Sequence, residues 1–370
     1  MKTMPNAHFP VFVHSHAGMK GKQNEDRLSV SAYQLSQDDP RPVLLAVLCD
    51  GIGGHCAGEV AAEKAVETIS AHIATSDDGL DPLAALEQSI QIASQSILAA
   101  SHQDQGRSGM GATCACALII ERQLYTASVG DSRIYLLRND ELKQLTTDHT
   151  WVQEALEAGV ITQAQAAGHP NAHVIRRYLG SGEPPEVDFR LRLNSKESDQ
   201  AAINNQGLNL LPGDVVFLCS DGLTDLVNDL EIKNILKKMP LQAALEKLTD
   251  LANARGGHDN ITQIAFQVPS RHLGHHWKAL LLGGAFVLLL LLALIGSIYF
   301  GWIHINSFNP TQPVLTQAAP LIFPDSNGEI SPAPSLMDST PSGSPQTTPT
   351  DQNLTPEPTL TPWPTNTTYP

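Results

Sequence analysis

Between residues 111 and 146 four apolar runs follow one another with breaks of only one or two residues: GATCACALII, QLYTASVG, SRIYLLRN and ELKQLT. Breaks that short leave no room for a crossover helix, so neighbouring runs are expected to pair as an antiparallel meander rather than as alternating strand–helix–strand units. Two further runs, VLLAVLC and DVVFLCS, are apolar without alternation, as in strands buried on both faces. Residues 57–75 and 81–101 space their apolar positions at helical intervals instead. The second of these begins with Asp81 before Pro82, a good helix start. Helices in pairs with antiparallel strands predict an α+β domain of packed layers. No internal repeat is visible.

The net charge of -15 argues against non-specific binding to nucleic acid, which needs basic patches. Cys49, Cys56, Cys114, Cys116 and Cys219 show neither a CxxC spacing nor an even framework. They are expected to be reduced structural thiols of a cytoplasmic domain.

Composition changes sharply near residue 271. From Ala279 to Ile303 no side chain carries a charge, a run longer than the roughly 20 residues that cross a bilayer. Trp277 and Trp302 stand near its ends, where interfacial aromatics belong. Arg271 and Lys278 precede the run, whereas residues 301–370 contain no lysine or arginine. The positive-inside rule then places the N-terminal part in the cytoplasm and the tail outside. The N-terminus lacks the apolar region and cleavage site of a signal peptide. The tail holds 14 of the chain's 25 prolines, with many threonines and serines, and is expected to be an extended, disordered stalk.

Inside the first 270 residues, aspartates recur where apolar runs end. CDGIGGH carries Asp50 to the lip of a buried strand and follows it with Gly51, Gly53 and Gly54. Glycines there permit a positive φ or a close approach of the backbone. SVGDSRIY places Asp131 in a tight turn, VVFLCSDGLTD places Asp221 just past a strand, and GGHDNITQIAF places Asp259 just before one. KQNEDRLSV sets Glu25 and Asp26 at a strand's start. Each aspartate alone reads equally well as a turn residue. Carboxylates that converge repel one another and are costly to desolvate, and a hard cation is the obvious remedy. Mg²⁺ and Mn²⁺ favour such oxygen ligands, and two of them near 4 Å apart can acidify a bridging water and clamp a phosphoryl group.

NEDR, DGIGGHCAGE, GATCACALI, VGDSRIY, LTTDHT, GDVVFLCSDGLTD and GGHDNIT, in that order, resemble the metal-dependent protein serine/threonine phosphatases of the PPM or type 2C family, bacterial type. The resemblance implies a four-layer αββα sandwich, a central antiparallel β-sandwich flanked by helix pairs, with metals in a cleft at one end. It implies hydrolysis of phosphoserine and phosphothreonine by a hydroxide bridging two Mn²⁺ or Mg²⁺ ions. Carried over by motif, Asp50 bridges both ions and the Gly51 carbonyl holds one. Asp221 and Asp259 complete the other ion's ligands, and Asp26, with Glu25 beside it, holds metal-bound waters. Asp131 matches a position that helps several bacterial members bind a third, weaker ion. Residues from about Thr146 to Gly180 resemble the family's flap, which borders the cleft.

Two departures stand out. The arginine that usually contacts the substrate phosphate shortly before NED is Gly21 here, leaving Lys22, or Lys20, to meet the phosphate as a point charge without a bidentate fork. The histidine that follows aspartate-glycine in many eukaryotic members is Ile52, so His55 is the candidate that protonates the leaving serine oxygen; a structuring role in the glycine turn is the alternative. His149 is expected to be structural.

The implied organisation is a phosphatase domain at 8–268, a juxtamembrane linker at 269–278, a transmembrane helix at 279–303 and an extracytoplasmic tail at 304–370. The expected partners are phosphorylated proteins, namely serine/threonine kinases and their substrates, and the membrane. The contrasting expectation is a low-activity or inactive phosphatase fold serving as a membrane-tethered binding or sensor module. The missing arginine favours it and the complete aspartate set opposes it.

Overall fold

The computed structural model describes residues 1–21, 23–53, 57–76, 81–194, 196–270 and 286–298. Its strands are β1 (Lys2–Thr3), β2 (Val11–His16), β3 (Arg27–Gln34), β4 (Pro42–Cys49), β5 (Gly51–Ile52), β6 (Gly111–Ala112), β7 (Cys114–Ile120), β8 (Gln123–Val129), β9 (Arg133–Arg138), β10 (Glu141–Gln144), β11 (Leu208–Asn209), β12 (Val215–Cys219) and β13 (Ile261–Gln267). Its helices are α1 (Ala57–Thr75), α2 (Pro82–Gln103), α3 (Trp151–Glu157), α4 (Gln163–Ala166), α5 (Asp199–Asn204), α6 (Asp221–Thr224), α7 (Asp229–Lys238) and α8 (Leu241–Ala254), with α9 at 286–298.

Six strands form one sheet in the order β1-β3-β4-β7-β8-β11, and five form a second in the order β10-β9-β12-β13-β2. All the pairings are antiparallel, but the four runs do not form the single expected meander: β7 pairs with β8 and β9 with β10, whereas the chain changes sheet between β8 and β9. The β9–β10 turn holds Asn139 at φ 49° and Asp140 at φ 65°, the left-handed pair that a two-residue hairpin needs to match strand twist.

The uninterrupted apolar runs are explained by what lies on each face. Along β4, Val43, Leu45, Val47 and Cys49 pack into a core shared with α1 and α2, while Leu44, Ala46 and Leu48 pack into the core between the two sheets. Along β12 the same division occurs, with Val216 and Leu218 facing the inter-sheet core and Val215, Phe217 and Cys219 facing α7 and α8. Three stacked cores therefore separate four layers, helices–sheet–sheet–helices. Each fully buried leucine or phenylalanine contributes about 1.5–3 kcal/mol by leaving water. Asp81 caps α2 as its sequence suggested, accepting from the Ala84 N–H at 3.2 Å. Cys49, Cys114, Cys116 and Cys219 are buried free thiols, and Cys56 lies outside the described residues.

The strand pairing also brings distant residues to one end of the sandwich. Arg27 pairs with Cys49, so Asp26 before β3 stands across from Asp50 after β4. Cys219 pairs with Gln263, which brings Asp221 after β12 close to Asp259 before β13. Asp131 lies in the link that passes from β8 in one sheet to β9 in the other.

Among the described residues no helix is long and apolar enough to cross a membrane. Of the expected span, 286–298 is helical, with every side chain exposed, whereas 279–285 and 299–303 lie outside the described residues. The linker from residue 271 and the expected tail at 304–370 also lie outside them.

Candidate metal centre

Asp50 is held at its place by backbone and hydroxyl contacts. Its N–H donates to Thr113 Oγ1 at 2.9 Å, and its carbonyl accepts from the Thr113 N–H at 2.8 Å. Thr113 Oγ1 in turn lies 2.8 Å from Ser132 Oγ, one residue beyond Asp131. The following Gly51 does not need a positive φ. It is glycine because a Cβ there would run into the backbone of Gly58 in α1 and the carbonyl of Glu25.

Asp26 is 2% exposed, and its Oδ2 accepts from Ser220 Oγ at 2.8 Å. On the other side of the site, Asn260 accepts from the Glu25 N–H at 2.7 Å and donates its own N–H to Asp259 Oδ1 at 2.9 Å. Asn260 Nδ2 donates to the carbonyls of Ala17 and Gln23, so one asparagine ties the NED segment to the start of β13.

The carboxylates are electrostatically linked. Burial pushes the Asp50 carboxyl well above the ordinary range, and the charges of Asp26, Asp221 and Asp131 add to it. Burial raises Asp26 to about 7 despite hydrogen bonds from Thr262 and Ser220, with Asp221 and Asp259 pushing the same way. Asp221 rises to about 6 through burial and the neighbouring Asp225. Asp131 is also held well above its usual range, through burial and then Asp221. Oδ1 of Asp26, of Asp131 and of Asp221 is buried with no hydrogen-bond partner among the described residues. Three buried carboxylate oxygens left so, in a group whose charges oppose one another, fit a divalent cation as their missing partner.

The expected site residues Asp26, Asp50, Gly51, Asp131, Asp221 and Asp259 thus come together at one end of the sandwich. Lys22 and His55 lie outside the described residues. Lys20 is exposed. Gly21 takes φ +68° in open space, a left-handed conformation that an arginine would adopt only with strain.

A cleft of about 330 Å³ opens beside Asp131 and Asp221, lined also by Arg133, His173, Thr224 and Asp225. A larger groove of about 1100 Å³ runs on from it, sharing Arg133, Asp148, Gln153 and Gln163. His173 Nδ1 lies 3.2 Å from Asp225 Oδ2, and His258 Nε2 lies 3.5 Å from the same oxygen. These residues escaped the motif reading. Asp225 was within reach of it, standing one helical turn after Asp221 in DGLTD. His173 carries no local signal and arrives only through the path of residues 146–180.

His149 is structural, as expected. Its Nδ1 accepts from the Gly130 N–H at 2.9 Å, so its Nε2 carries the proton donated to Asp188 Oδ2 at 3.1 Å. Burial alone would raise Asp188, but hydrogen bonds from His149 and Arg190 outweigh it and hold the carboxyl below its ordinary range.

Known proteins resemble this chain in sequence and in fold. The protein phosphatase 2C family profile matches residues 13–165. The serine/threonine phosphatase stp of Listeria innocua is 34% identical over 246 residues, which cover 65% of this chain and 88% of that protein. The crystal structure of the Mycobacterium tuberculosis serine/threonine phosphatase PstP/Ppp superposes with a TM-score of 0.59 at 30% identity, covering 70% of this chain and 99% of that one. A structure of the PstP catalytic domain in complex with two manganese ions gives 0.57 at 30% identity, over 71% of this chain and 99% of that one.

Proposed function

This chain belongs to the protein phosphatase 2C family and is a metal-dependent serine/threonine phosphatase; we propose that its active site is the carboxylate cluster at the end of the sandwich and that a membrane span anchors it. The observation that carries the first part is the set of three buried carboxylate oxygens, on Asp26, Asp131 and Asp221, that have no hydrogen-bond partner among the described residues.

In this reading Asp50, the Gly51 carbonyl, Asp221 and Asp259 would hold Mn²⁺ or Mg²⁺ ions, Asp26 would orient water beside them and Asp131 would serve a further, weaker ion. Bound there, the ions would supply the Lewis acidity that acidifies a water and draws charge from phosphoryl oxygens. The chain itself sets the carboxylates. Thr113 fixes the backbone of Asp50 from both sides, Ser220 orients Asp26, and Asn260 keeps the NED segment against β13. Lys22 or Lys20 would meet the phosphate and His55 would give the proton to the leaving oxygen, roles that rest on the sequence alone for Lys22 and His55, which lie outside the described residues. The substrates are phosphoserine and phosphothreonine proteins, the products of serine/threonine kinases.

The membrane part rests on the charge-free run Ala279–Ile303 and on α9, whose apolar side chains are exposed on all sides. An exposed surface of that kind is suited to lipid rather than water. Arg271 and Lys278 before the run, and the absence of lysine and arginine in residues 301–370, support a topology with residues 8–268 in the cytoplasm and 304–370 outside.

A second reading, a weakly active or inactive fold tethered as a binding module, is favoured by one feature, the left-handed Gly21 where the family's phosphate-contacting arginine belongs. One assay separates the two. The full chain is given p-nitrophenyl phosphate and a phosphothreonine peptide with Mn²⁺, Mg²⁺ or EDTA, alongside Asp50→Asn. Turnover that requires metal and disappears in the variant supports the enzyme, and a folded, metal-binding but inert protein leaves the binding module. Release of the chain from membranes by alkaline carbonate would overturn the anchor.

A further inference from the structure

We propose that the groove beside β10 docks an extended segment of the phosphoprotein substrate, which adds to β10 as a further strand while its phosphorylated residue sits at the carboxylate cluster. Such docking rests on the phosphatase reading above and extends recognition from the phosphate to the polypeptide that carries it. β10 stands at the end of its sheet, paired with β9 on one side and with no strand on the other among the described residues. The register fixes which main-chain groups are free. The Leu145 N–H donates to the Ile134 carbonyl at 2.7 Å, so Glu141, Lys143 and Leu145 turn theirs towards β9, and Leu142 and Gln144 turn their N–H and C=O outward. Among the described residues nothing takes a hydrogen bond on those outward groups.

The groove passes along that edge. Lys143 pairs with Leu136, which faces the inter-sheet core, and Gln144 pairs with Tyr135, which faces the core under α7 and α8. Neighbouring side chains of a strand point to opposite faces, yet Lys143 and Gln144 both line the one groove of about 1100 Å³. A groove that touches both has to run past the strand's edge. It also shares Arg133, Asp148, Gln153 and Gln163 with the cleft beside Asp131 and Asp221, so one chain can occupy the two without a break. The walls carry little net charge to select by. Four basic and five acidic side chains line the groove, and three of the basic ones are already paired with acids, Arg133 with Asp148, Lys143 with Glu141 and Arg192 with Asp199. The edge offers main-chain donors and acceptors instead, which any extended sequence can meet. The four residues of β10 span about 13 Å, room for a flank of similar length. Phosphosites in extended, unfolded segments are therefore preferred over those in helices, with little regard to flanking charge.

The test uses the full chain with Mn²⁺. It compares kcat/KM on a phosphothreonine peptide of about four residues with that on the same peptide lengthened by about six residues on each side in turn. Lengthening on one side is expected to raise kcat/KM on the order of 10-fold, whether the added residues are neutral, acidic or basic. Methylation of the flank's backbone nitrogens, one at a time, should abolish the gain at alternate positions only, because alternate N–H groups of an added strand face β10. Asn194→Trp, which fills the groove from an exposed position, and Gln144→Pro, which removes an outward N–H and leaves the β9 ladder intact, should each lower the ratio of long to short peptide. No gain on lengthening, or a gain that follows charge and ignores methylation, would overturn the docking. So would a dimer that Gln144→Pro dissociates while peptide length has no effect, since a second copy would then hold the edge. Turnover of p-nitrophenyl phosphate reports on the phosphatase reading separately. Its absence sinks that reading, and its presence without a length effect sinks the docking alone.

Discussion

Asp188 and Asp26 are both buried aspartates near one end of the same sandwich, yet they are held in opposite states. Asp188 faces Arg190 at 2.6 Å and His149 at 3.1 Å, and its carboxyl is held below the ordinary range. Among the described residues the Asp26 carboxyl accepts from hydroxyls and faces other carboxylates, and burial lifts it to about 7. Depth alone therefore does not decide what a buried acid does. A carboxylate whose counter-charge is supplied within the chain is part of the scaffold. A group of them in which burial and mutual repulsion outweigh the nearby Arg133 and His173 lowers the stability of the fold until something else binds.

The contrast can be broken most directly at Asp50. Asp50→Asn should reduce metal-dependent turnover on the order of 1,000-fold, equivalent to about 4 kcal/mol of barrier. It should also raise the melting temperature of the metal-free protein, because one of the opposed charges is gone. A variant that loses activity together with metal-free stability would place Asp50 with Asp188 instead.

Asp188→Asn should act in the reverse sense. It strands Arg190 and the Nε2 proton of His149, and should lower stability by about 3–5 kcal/mol in chemical denaturation whether or not Mn²⁺ is present. Dependence of that loss on metal would erase the distinction between the two regions.

Metal and pH sharpen it further. The folded-state values of about 7 for Asp26 and about 6 for Asp221 lie above the unfolded value of 3.8. The metal-free fold thus binds more protons than the unfolded chain in this window, and stability present below pH 4 is lost as pH rises towards 7. Melting in EDTA from pH 4 to 8 should show that fall. Mn²⁺ at about 100 times its dissociation constant should add roughly 2.7 kcal/mol at the upper end, and much less at pH 4, where the ligands are protonated. A melting curve indifferent to Mn²⁺ at pH 8 would contradict the site.

The smallest expected effect is at Gly21. Gly21→Ala introduces a side chain into a left-handed backbone with open space around it, and should cost about 1 kcal/mol with little change in metal affinity. A large change in metal affinity would mean that this loop supports the carboxylates more directly than its exposure suggests.

Much of this protein could be read from local order. Short breaks between apolar runs dictated antiparallel pairing of β7 with β8 and of β9 with β10, but the equally short break at Asp131 carries the chain to the other sheet, which no local pattern reports. Unalternating runs such as VLLAVLC announced strands covered on both faces, and β4 does divide its side chains between two cores. The aspartate–glycine punctuation placed Asp50, Asp131, Asp221 and Asp259 at strand ends, which is where they stand. The glycine after Asp50 was legible as a place of close backbone approach, but not which backbone approaches it. Its requirement comes from Gly58 on another element, and no local pattern reports that approach.

What only the tertiary structure decided is which strand ends meet. The pairing of β3 with β4 and of β12 with β13, and the stacking of the two sheets, turn separate turns into one cluster of opposed charges. Asp188 takes its arginine from two residues along the chain, Arg190, but its histidine, His149, arrives only through the tertiary fold. His173 met Asp225 only because residues 146–180 fold back across α6. Local sequence dictates periodicity and turn chemistry through contacts a few residues long. The charge environment of a buried carboxylate depends on residues nearly two hundred positions away, as with Asp26 and Ser220, and it forms only when the layers close.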